Sequence, residues 1–79
     1  MINIKLTGQF AELAPEGSEK GSFAIAFETG LTLSVLMERL GVEGGTVKYV
    51  ALVNNSRKPA NFLLADSDSV TVMPLLAGG

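Results

Sequence analysis

The sequence has 79 residues, a net charge of −2 at pH 7 and a hydrophobic fraction of 47%, which suit a single domain with a small core. It contains no cysteine and no histidine, which excludes disulfide bonds, thiolate nucleophiles, histidine acid–base chemistry and the usual ligands of a structural zinc ion. The basic residues form no cluster typical of a nucleic-acid interface, and we see neither a signal peptide nor an apolar run of about 20 residues. We therefore expect a cytoplasmic protein that binds neither nucleic acid nor membranes.

The first part of the chain predicts two strands joined by a loop. Apolar and polar side chains alternate along residues 2–7 and again along residues 22–28, which is the period of a strand with one buried face. Between them, residues 10–13 are compatible with a short helical turn, and the polar, turn-rich residues 15–21 predict a loop. The two strands are therefore expected to pair as a hairpin.

A helix is predicted next. Thr32 suits the N-cap position, because its hydroxyl can accept a hydrogen bond from the first helical turn. Apolar residues at i, i+3, i+4 and i+7 from Leu33 lay one apolar stripe along residues 33–40, and Gly41 is placed to end the helix. We expect Met37, which lies in this stripe, to fill the core rather than to bind a ligand.

The second half of the chain predicts three further extended segments. The dense apolar run 47–53 predicts a central, well-covered strand. Residues 57–59 predict a short edge segment, because proline suits an edge, and residues 62–64 form a compact apolar anchor. After an Asp/Ser-rich turn, residues 70–73 predict the last strand, and Pro74 is expected to end its hydrogen bonding.

This order of elements predicts an α+β domain. A right-handed crossover would place the helix across one face of a mixed sheet of four or five strands, with the last strand beside the first. This is the β-grasp arrangement of ubiquitin. We expect residues 1–74 to form this domain and residues 75–79 to form a flexible C-terminal Gly-Gly tail.

The tail has a composition suited to recognition by a partner. Gly78 and Gly79 would present an α-carboxylate with no neighbouring side chain, and such an end can enter a tunnel that is too narrow for other residues. Leu75 and Leu76 are unusual for a free tail, which suggests an apolar docking site on a partner. The alternative is that both leucines pack back on their own sheet.

Residues 64–79 resemble the end of the MoaD/ThiS sulfur carriers, in which an Asp-containing turn precedes a Val-rich strand, a proline, an apolar pair and Gly-Gly. The chain length and residues 10–13 are more similar to MoaD, the small subunit of molybdopterin synthase, than to ThiS. The sequence departs from the family at Ser67, where glycine usually precedes the aspartate, and after Gly41, where the chain looks shorter than in MoaD.

The resemblance implies a carrier protein rather than an enzyme. An E1-like adenylating enzyme of the MoeB/ThiF type would use ATP to convert Gly79 to an acyl-adenylate, and a sulfur source would then give a thiocarboxylate. The chain itself would bind no cofactor and no metal ion. It would be a monomer alone and would form a hetero-oligomer with its partner. That partner would be a MoaE-like large synthase subunit, with this chain as the non-catalytic small subunit, or a thiazole synthase.

The resemblance also assigns roles to individual residues. The partner-binding tail would comprise Pro74, Leu75, Leu76, Ala77 and Gly78, and it would end at the acceptor residue Gly79. Met73, Phe62, Asp66 and Asp68 are candidates for the partner surface. For Phe62 the alternative is a place in the core, and for the two aspartates it is turn formation through backbone N–H groups.

Three other functions remain open at this stage. The first is a ThiS-type carrier for thiamine biosynthesis or for another sulfur-containing metabolite. The second is a ubiquitin-like modifier that is joined through Gly79 to lysines of other proteins. The third is a small β-grasp interaction module with no chemistry at its terminus.

Overall fold

The computed structural model describes residues 1–45 and 47–75. Within them, a five-stranded sheet is accompanied by one α-helix and one 3-10 helix. Strands β1 to β5 span Ile2–Leu6, Ser22–Ile25, Tyr49–Val53, Ser56–Arg57 and Ser69–Pro74, helix α1 spans Leu33–Leu40, and the 3-10 helix spans Gly8–Leu13.

The sheet is mixed and has the strand order β2-β1-β5-β3-β4. Strands β1 and β2 pair antiparallel as the predicted hairpin, and β5 pairs parallel to β1, so the prediction that the last strand lies beside the first is confirmed. On its other side β5 pairs antiparallel with β3. Strand β5 is therefore the middle strand of the sheet, with two strands on each side.

The core lies between helix α1 and one face of the sheet, because side chains alternate between buried and exposed along the strands. From β1, Ile2, Ile4 and Leu6 are each at most 2% exposed, and the inward residues of α1 meet them across the core. Met37 is fully buried, as predicted. Further fully buried side chains are Leu36, Val42, Val53, Val70 and Val72.

Both predicted ends of the helix are confirmed. Thr32 is the N-cap residue, and its hydroxyl oxygen accepts a hydrogen bond from the N–H of Val35 at 3.3 Å. Gly41 follows the helix with φ of 83°, a left-handed conformation that glycine adopts without a steric penalty. Its N–H donates to the carbonyls of Met37 and Glu38, and the carbonyl of Met37 also accepts from the N–H groups of Val42 and Glu43, so residues beyond the helix supply the donors that its last turn lacks.

The prediction that residues 47–53 form a central, well-covered strand is confirmed only in its central position. The strand is Tyr49–Val53 and lies between the middle strand β5 and the short edge strand β4. Ala51 and Val53 face the core and are buried, whereas Val50 and Leu52 point to the other face and are only half-buried. Helix α1 packs on one face of the sheet only, so the dense apolar run has one covered side.

The short edge segment is also displaced from its predicted position at residues 57–59. Strand β4 is Ser56–Arg57, and Pro59 lies beyond its end. A tight turn through Asn54 and Asn55, with φ of 52° and 68°, brings the chain back so soon that pairing begins at Ser56. Asparagine tolerates this left-handed conformation better than most residues.

The apolar anchor 62–64 is only partly an anchor. Leu64 is buried and Phe62 is half-buried against the core, but Leu63 is 62% exposed. The N–H of Leu33 donates to the carbonyl of Phe62 at 3.0 Å, and the N–H of Leu64 donates to the carbonyl of Leu31 at 2.9 Å. This segment therefore runs extended beside residues 31–33, and Leu63, between two inward residues, faces outward.

Residues 1–45 and 47–75 contain neither a helix suited to cross a membrane nor a cluster of side chains suited to bind a metal ion. None of their helices combines the length and the apolar character needed to cross a membrane. Nor do these residues hold a group of three or more carboxylate, imidazole or thiol side chains that could bind a metal ion.

Candidate functional site

The middle strand β5 leads directly to the predicted tail. The N–H of Leu75 donates to the carbonyl of Lys48 at 2.9 Å, so the prediction that hydrogen bonding ends at Pro74 is wrong. The reason lies in the register. The pair Leu75–Lys48 is hydrogen-bonded, and so is the pair Asn54–Ser69 at the other end of the antiparallel β3–β5 ladder. Between them, hydrogen-bonded and non-hydrogen-bonded pairs alternate. Pro74 opposes Tyr49 at a position where no N–H is needed.

A close contact fixes the position of Pro74. Strand β1 ends at Leu6, and Gly8 then lies against the ring of Pro74. A Cβ atom on Gly8 would come within 2.8 Å of Cγ of Pro74, and Gly8 has φ of 57°. Both the space and the backbone conformation therefore favour glycine here. The contact holds the last part of β5 against the start of the 3-10 helix.

We use the term tail root for Met73, Pro74 and Leu75, the last residues of the predicted site that the structure describes. Met73 is half-buried and lies opposite Val50, and the side chain of Leu75 is 51% exposed. The predicted residues Leu76, Ala77, Gly78 and Gly79 lie outside the described residues. The division of the chain after residue 74 into domain and flexible tail stays a prediction.

A cleft of about 290 Å³ opens beside the tail root. It lies between Leu75 and the loop that precedes β3, and Val42, Glu43, Lys48 and Tyr49 are among the residues that line it. The hydroxyl of Tyr49 donates to Oε2 of Glu43 at 2.6 Å, which fastens this loop to the first residue of β3. The loop and the tail root are thus neighbours at one end of the sheet.

The environment of Tyr49 changes its acidity. Partial burial, and then the hydrogen bond to the nearby carboxylate of Glu43 and its negative charge, raise the pKa of Tyr49 to about 12. The ring also packs edge-on against the buried Phe10, with centroids 6.4 Å apart. Sequence reasoning missed both Tyr49 and Glu43, because neither residue belongs to a motif and only the fold brings them together.

Asp66 and Asp68 are not near the tail root. They precede β5, whereas Leu75 follows it, and a strand of this length separates its ends by about 20 Å. Asp68 accepts hydrogen bonds from the N–H of Ala65 at 2.8 Å and from the amide of Asn54 at 2.9 Å, as the turn-forming interpretation expects.

Asp66 has a different partner. It forms an ion pair with the N-terminal ammonium group of Met1. The hydrogen bond from that ammonium group, and then its positive charge, lower the pKa of the Asp66 carboxyl. Both aspartates are therefore engaged inside this chain, at the end of the sheet away from the predicted tail.

Phe62 lies away from both the tail root and the two aspartates. It packs against the core beside the start of helix α1, and the Nζ atom of Lys58 lies 5.3 Å from the centroid of its ring. This agrees with the alternative that Phe62 belongs to the core. Of the candidates for the partner surface, only Met73 belongs to the tail root.

Comparison with known proteins identifies the fold of the chain. No family model and no curated protein sequence matches the chain. Among solved structures, SAMP1 from Haloferax volcanii is 20% identical, with 99% of this chain and 98% of that chain covered and a TM-score of 0.70. A Pyrococcus furiosus protein, provisionally described as molybdopterin converting factor, subunit 1, is also 20% identical. The match covers 95% of this chain and 97% of that chain, with a TM-score of 0.72. The chain therefore has the β-grasp, ubiquitin-like fold that was predicted from its sequence.

Proposed function

We propose that this chain is a ubiquitin-like sulfur carrier and that the α-carboxylate of Gly79 is the group that carries sulfur. One observation supports this most directly. The middle strand of a β-grasp sheet stays in hydrogen-bonded register as far as Leu75, four residues before Gly79. The domain thus holds the root of a segment that ends in two residues without side chains.

The proposed chemistry needs no reactive side chain from this protein. A carboxylate is a poor electrophile, so an activating enzyme first directs a carboxylate oxygen of Gly79 onto the α-phosphorus of ATP, and pyrophosphate leaves. A sulfur nucleophile then attacks the carbonyl carbon of the acyl-adenylate and AMP leaves. Hydrosulfide would give the thiocarboxylate directly, whereas a persulfide would give an acyl disulfide that a thiol must then reduce. The absence of cysteine and histidine from the sequence fits this role of substrate and carrier.

The geometry of the tail root sets how far Gly79 can reach. Leu75 is tied to Lys48, so four residues remain beyond it. Four extended residues span at most about 13 Å, which is enough to bring the terminal carboxylate into an active site while the folded domain stays outside. In this proposal Gly79 reacts, Gly78 gives close access, and Leu76 and Ala77 are gripped by the partner.

The proposed partners follow from the chemistry and from the solved structures. The chain would meet an E1-like adenylating enzyme of the MoeB/ThiF type, and afterwards the enzyme that receives the sulfur. The likeness to a protein described as molybdopterin converting factor, subunit 1, favours molybdopterin synthesis, with a MoaE-like large subunit as the receiving enzyme. No observation favours a thiazole synthase in the same way, so the thiamine route stays an alternative from the sequence.

A second function has an observation of its own. SAMP1 is a ubiquitin-like small archaeal modifier with a similar fold over nearly the whole chain. The same acyl-adenylate of Gly79 could react with the amine of a lysine instead of a sulfur nucleophile, and the product would be an amide-linked conjugate. The two functions share activation and differ only in the nucleophile that follows.

Intact-mass spectrometry of the protein produced together with its activating enzyme and a sulfur source tests the proposal. We expect a product in which one oxygen of Gly79 is replaced by sulfur, and we expect no such product from a control variant that lacks Gly78 and Gly79. Conjugates joined to lysines would favour the modifier. If the product carried sulfur at another residue, or if the deletion variant kept full biological activity, the proposal would be wrong.

A further inference from the structure

In the described part of the chain, the backbone hydrogen bond nearest the tail joins the N–H of Leu75 to the carbonyl of Lys48, which precedes β3. We propose that the next residue, Tyr49, is a positioning residue for the activation of Gly79. Its hydroxyl bonds to Glu43, and this bond keeps Lys48 in place as the acceptor for Leu75. The role in activation rests on the proposed function, whereas the effect on Leu75 does not.

The side chain of Tyr49 is fixed at both ends. The residue is half-buried, and its ring packs edge-on against Phe10 of the 3-10 helix, with centroids 6.4 Å apart. Its hydroxyl donates to Oε2 of Glu43 at 2.6 Å, and a hydrogen bond to a charged acceptor is stronger than one between neutral groups. Tyr49 thus connects the start of β3 both to the 3-10 helix and to the segment that follows helix α1.

Glu43 is a firm partner because its backbone is bonded to the end of helix α1. The N–H groups of Val42 and Glu43 both donate to the carbonyl of Met37, at 3.0 and 3.2 Å. Val42 is only 2% exposed, so its side chain belongs to the core. The carboxylate that holds Tyr49 therefore extends from a segment whose position is set by the helix and by the core.

The same tyrosine faces the tail root across the sheet. Tyr49 opposes Pro74 in the antiparallel β3–β5 ladder, at a non-hydrogen-bonded position, where opposing residues are closest. From the direction of β1, Gly8 lies against the ring of Pro74. Pro74 is therefore held between two elements, and the hydrogen bond of Leu75 follows directly after it.

The position of Lys48 depends on this arrangement because Lys48 lies outside the strand. It precedes the first residue of β3, and its carbonyl is bonded to the last described residue of the tail root. Leu75, Lys48 and Glu43 line the same cleft of about 290 Å³, so this end of the ladder is open to solvent. Backbone hydrogen bonds at solvent-exposed strand ends open more readily than those in the middle of a sheet. A side-chain hydrogen bond one residue away, at Tyr49, opposes that opening.

The register of the ladder shows what loss of the Leu75 bond would cost. The preceding hydrogen-bonded position pairs Val50 with Met73, so the last fixed backbone position would move back to Met73. Pro74 and Leu75 would then have to be ordered whenever the activating enzyme binds the end of the chain. Ordering one residue lowers an affinity by about tenfold, and less for proline, whose ring already fixes φ. Because this cost is already present in the bound substrate, it raises KM and leaves kcat unchanged.

Amide hydrogen exchange, followed by NMR on the full chain, tests the effect of Tyr49 on Leu75. In Tyr49→Phe and in Glu43→Ala, the Leu75 amide should exchange about tenfold faster, the expected effect of losing one hydrogen bond. The amide of Asn54, which is bonded to Ser69 at 2.8 Å at the other end of the same ladder, should change less than about twofold, since distant sites act independently. Glu43→Gln keeps an oxygen acceptor for the hydroxyl and should exchange like the wild type.

The matched control for Glu43→Ala is Asp66→Ala, which also removes a carboxylate that accepts an exposed hydrogen bond, but at the end of the sheet away from Leu75. It should leave the exchange of the Leu75 amide as it is in the wild type. An unchanged Leu75 amide in Tyr49→Phe would overturn the proposed role. Equal acceleration at Asn54 and Leu75 would also overturn it, because it would indicate a general loss of stability.

Steady-state ATP–pyrophosphate exchange by the purified activating enzyme, with this chain as the varied substrate, tests the role in activation. We expect KM to be about fivefold higher for Tyr49→Phe with kcat unchanged, and wild-type values for Glu43→Gln. A faster-exchanging Leu75 amide together with an unchanged KM would overturn the role in activation and leave the proposed function intact. If the wild-type chain supported no ATP–pyrophosphate exchange, the proposed function and the role in activation would both be wrong. The amide measurement would then still show whether Tyr49 holds Leu75.

Discussion

Gly21 allows a quantitative test of how the β1–β2 hairpin is built. Gly21 has φ of 80°, and a Cβ atom there would lie 2.2 Å from the carbonyl oxygen of Leu6, while its own carbonyl accepts a hydrogen bond from the N–H of Leu6 at 2.9 Å. Gly17, in the same connection, has a similar φ of 88°, but nothing lies within 4 Å of a Cβ atom built on it. Comparison of alanine variants at Gly21 and Gly17 therefore separates the free-energy cost of the left-handed backbone from the cost of the steric collision with Leu6.

The expected magnitudes differ accordingly. Replacement of Gly17 by alanine should lower the free energy of unfolding by about 1 kcal/mol, the usual cost of a left-handed conformation for a residue with a Cβ atom. Replacement of Gly21 by alanine adds displacement of the backbone at Leu6 and loss of the hydrogen bond there, which brings the total to about 3 kcal/mol. A domain of this size has a stability of only about 4–12 kcal/mol, so the second loss is large.

Urea denaturation followed by circular dichroism measures both variants. At about 1 kcal/mol per molar urea, the midpoint should fall by about 1 M for Gly17→Ala and by about 3 M for Gly21→Ala. Thermal midpoints should fall by about 4–8 °C for each kcal/mol. If the two variants lost equal stability, the collision with Leu6 would not exist and the described path of the hairpin would be wrong.

Three further predictions concern the tail root and the ends of the sheet. Gly8→Ala should lower the free energy of unfolding, measured by urea denaturation, by about 2 kcal/mol, because it combines a left-handed conformation with a collision against Pro74. Pro74→Ala should remove part of that cost, so the losses in the double variant should not be additive. Additive losses would contradict the contact. Tyr49 has a folded-state pKa raised from 10.0 to about 12, so its stabilising effect should be complete below pH 10 and be lost as the pH rises through 12. A pH series should show this loss in the wild type and not in Tyr49→Phe. The Asp66 pKa is lowered, so its contribution to the stability of the fold should be present above about pH 4 and decline as the pH falls through the lowered value. Asp66→Asn should remove this decline. An identical dependence of stability on acid pH in both proteins would refute the ion pair.

The sequence predicted those parts of the fold that are decided locally. The helix was placed correctly with both of its ends, because the cap at Thr32, the apolar stripe and the glycine at position 41 all act within a few residues. Leu63 and the hydrogen bond of Leu75 could not be predicted in that way. Their positions depend on segments 31–33 and 48–49, which are distant in the chain and which join them only in the folded sheet.

The candidate site likewise combines a residue that the sequence identifies with residues that only the fold brings together. Leu75 could be named from the sequence alone, since leucines are unusual in a free tail that ends in Gly-Gly. The hydrogen bond between Tyr49 and Glu43 could not, because nothing in the sequence links a tyrosine of an apolar strand to a glutamate in the preceding loop. The separation of Asp66 from Leu75 by the length of β5 likewise follows from topology, although the two residues are only nine positions apart in sequence.

The central place of β5 has a consequence for the time at which the tail can be presented. Strand β5 is the last of the described strands to leave the ribosome, yet both halves of the sheet pair through it. Strands β1 and β3 do not pair with each other, so within the first 68 residues no strand pairing joins the two halves of the sheet. Pairing over such sequence distances is slow compared with local structure. A partner that recognises the completed sheet would therefore bind only molecules in which β5 has been made and has folded.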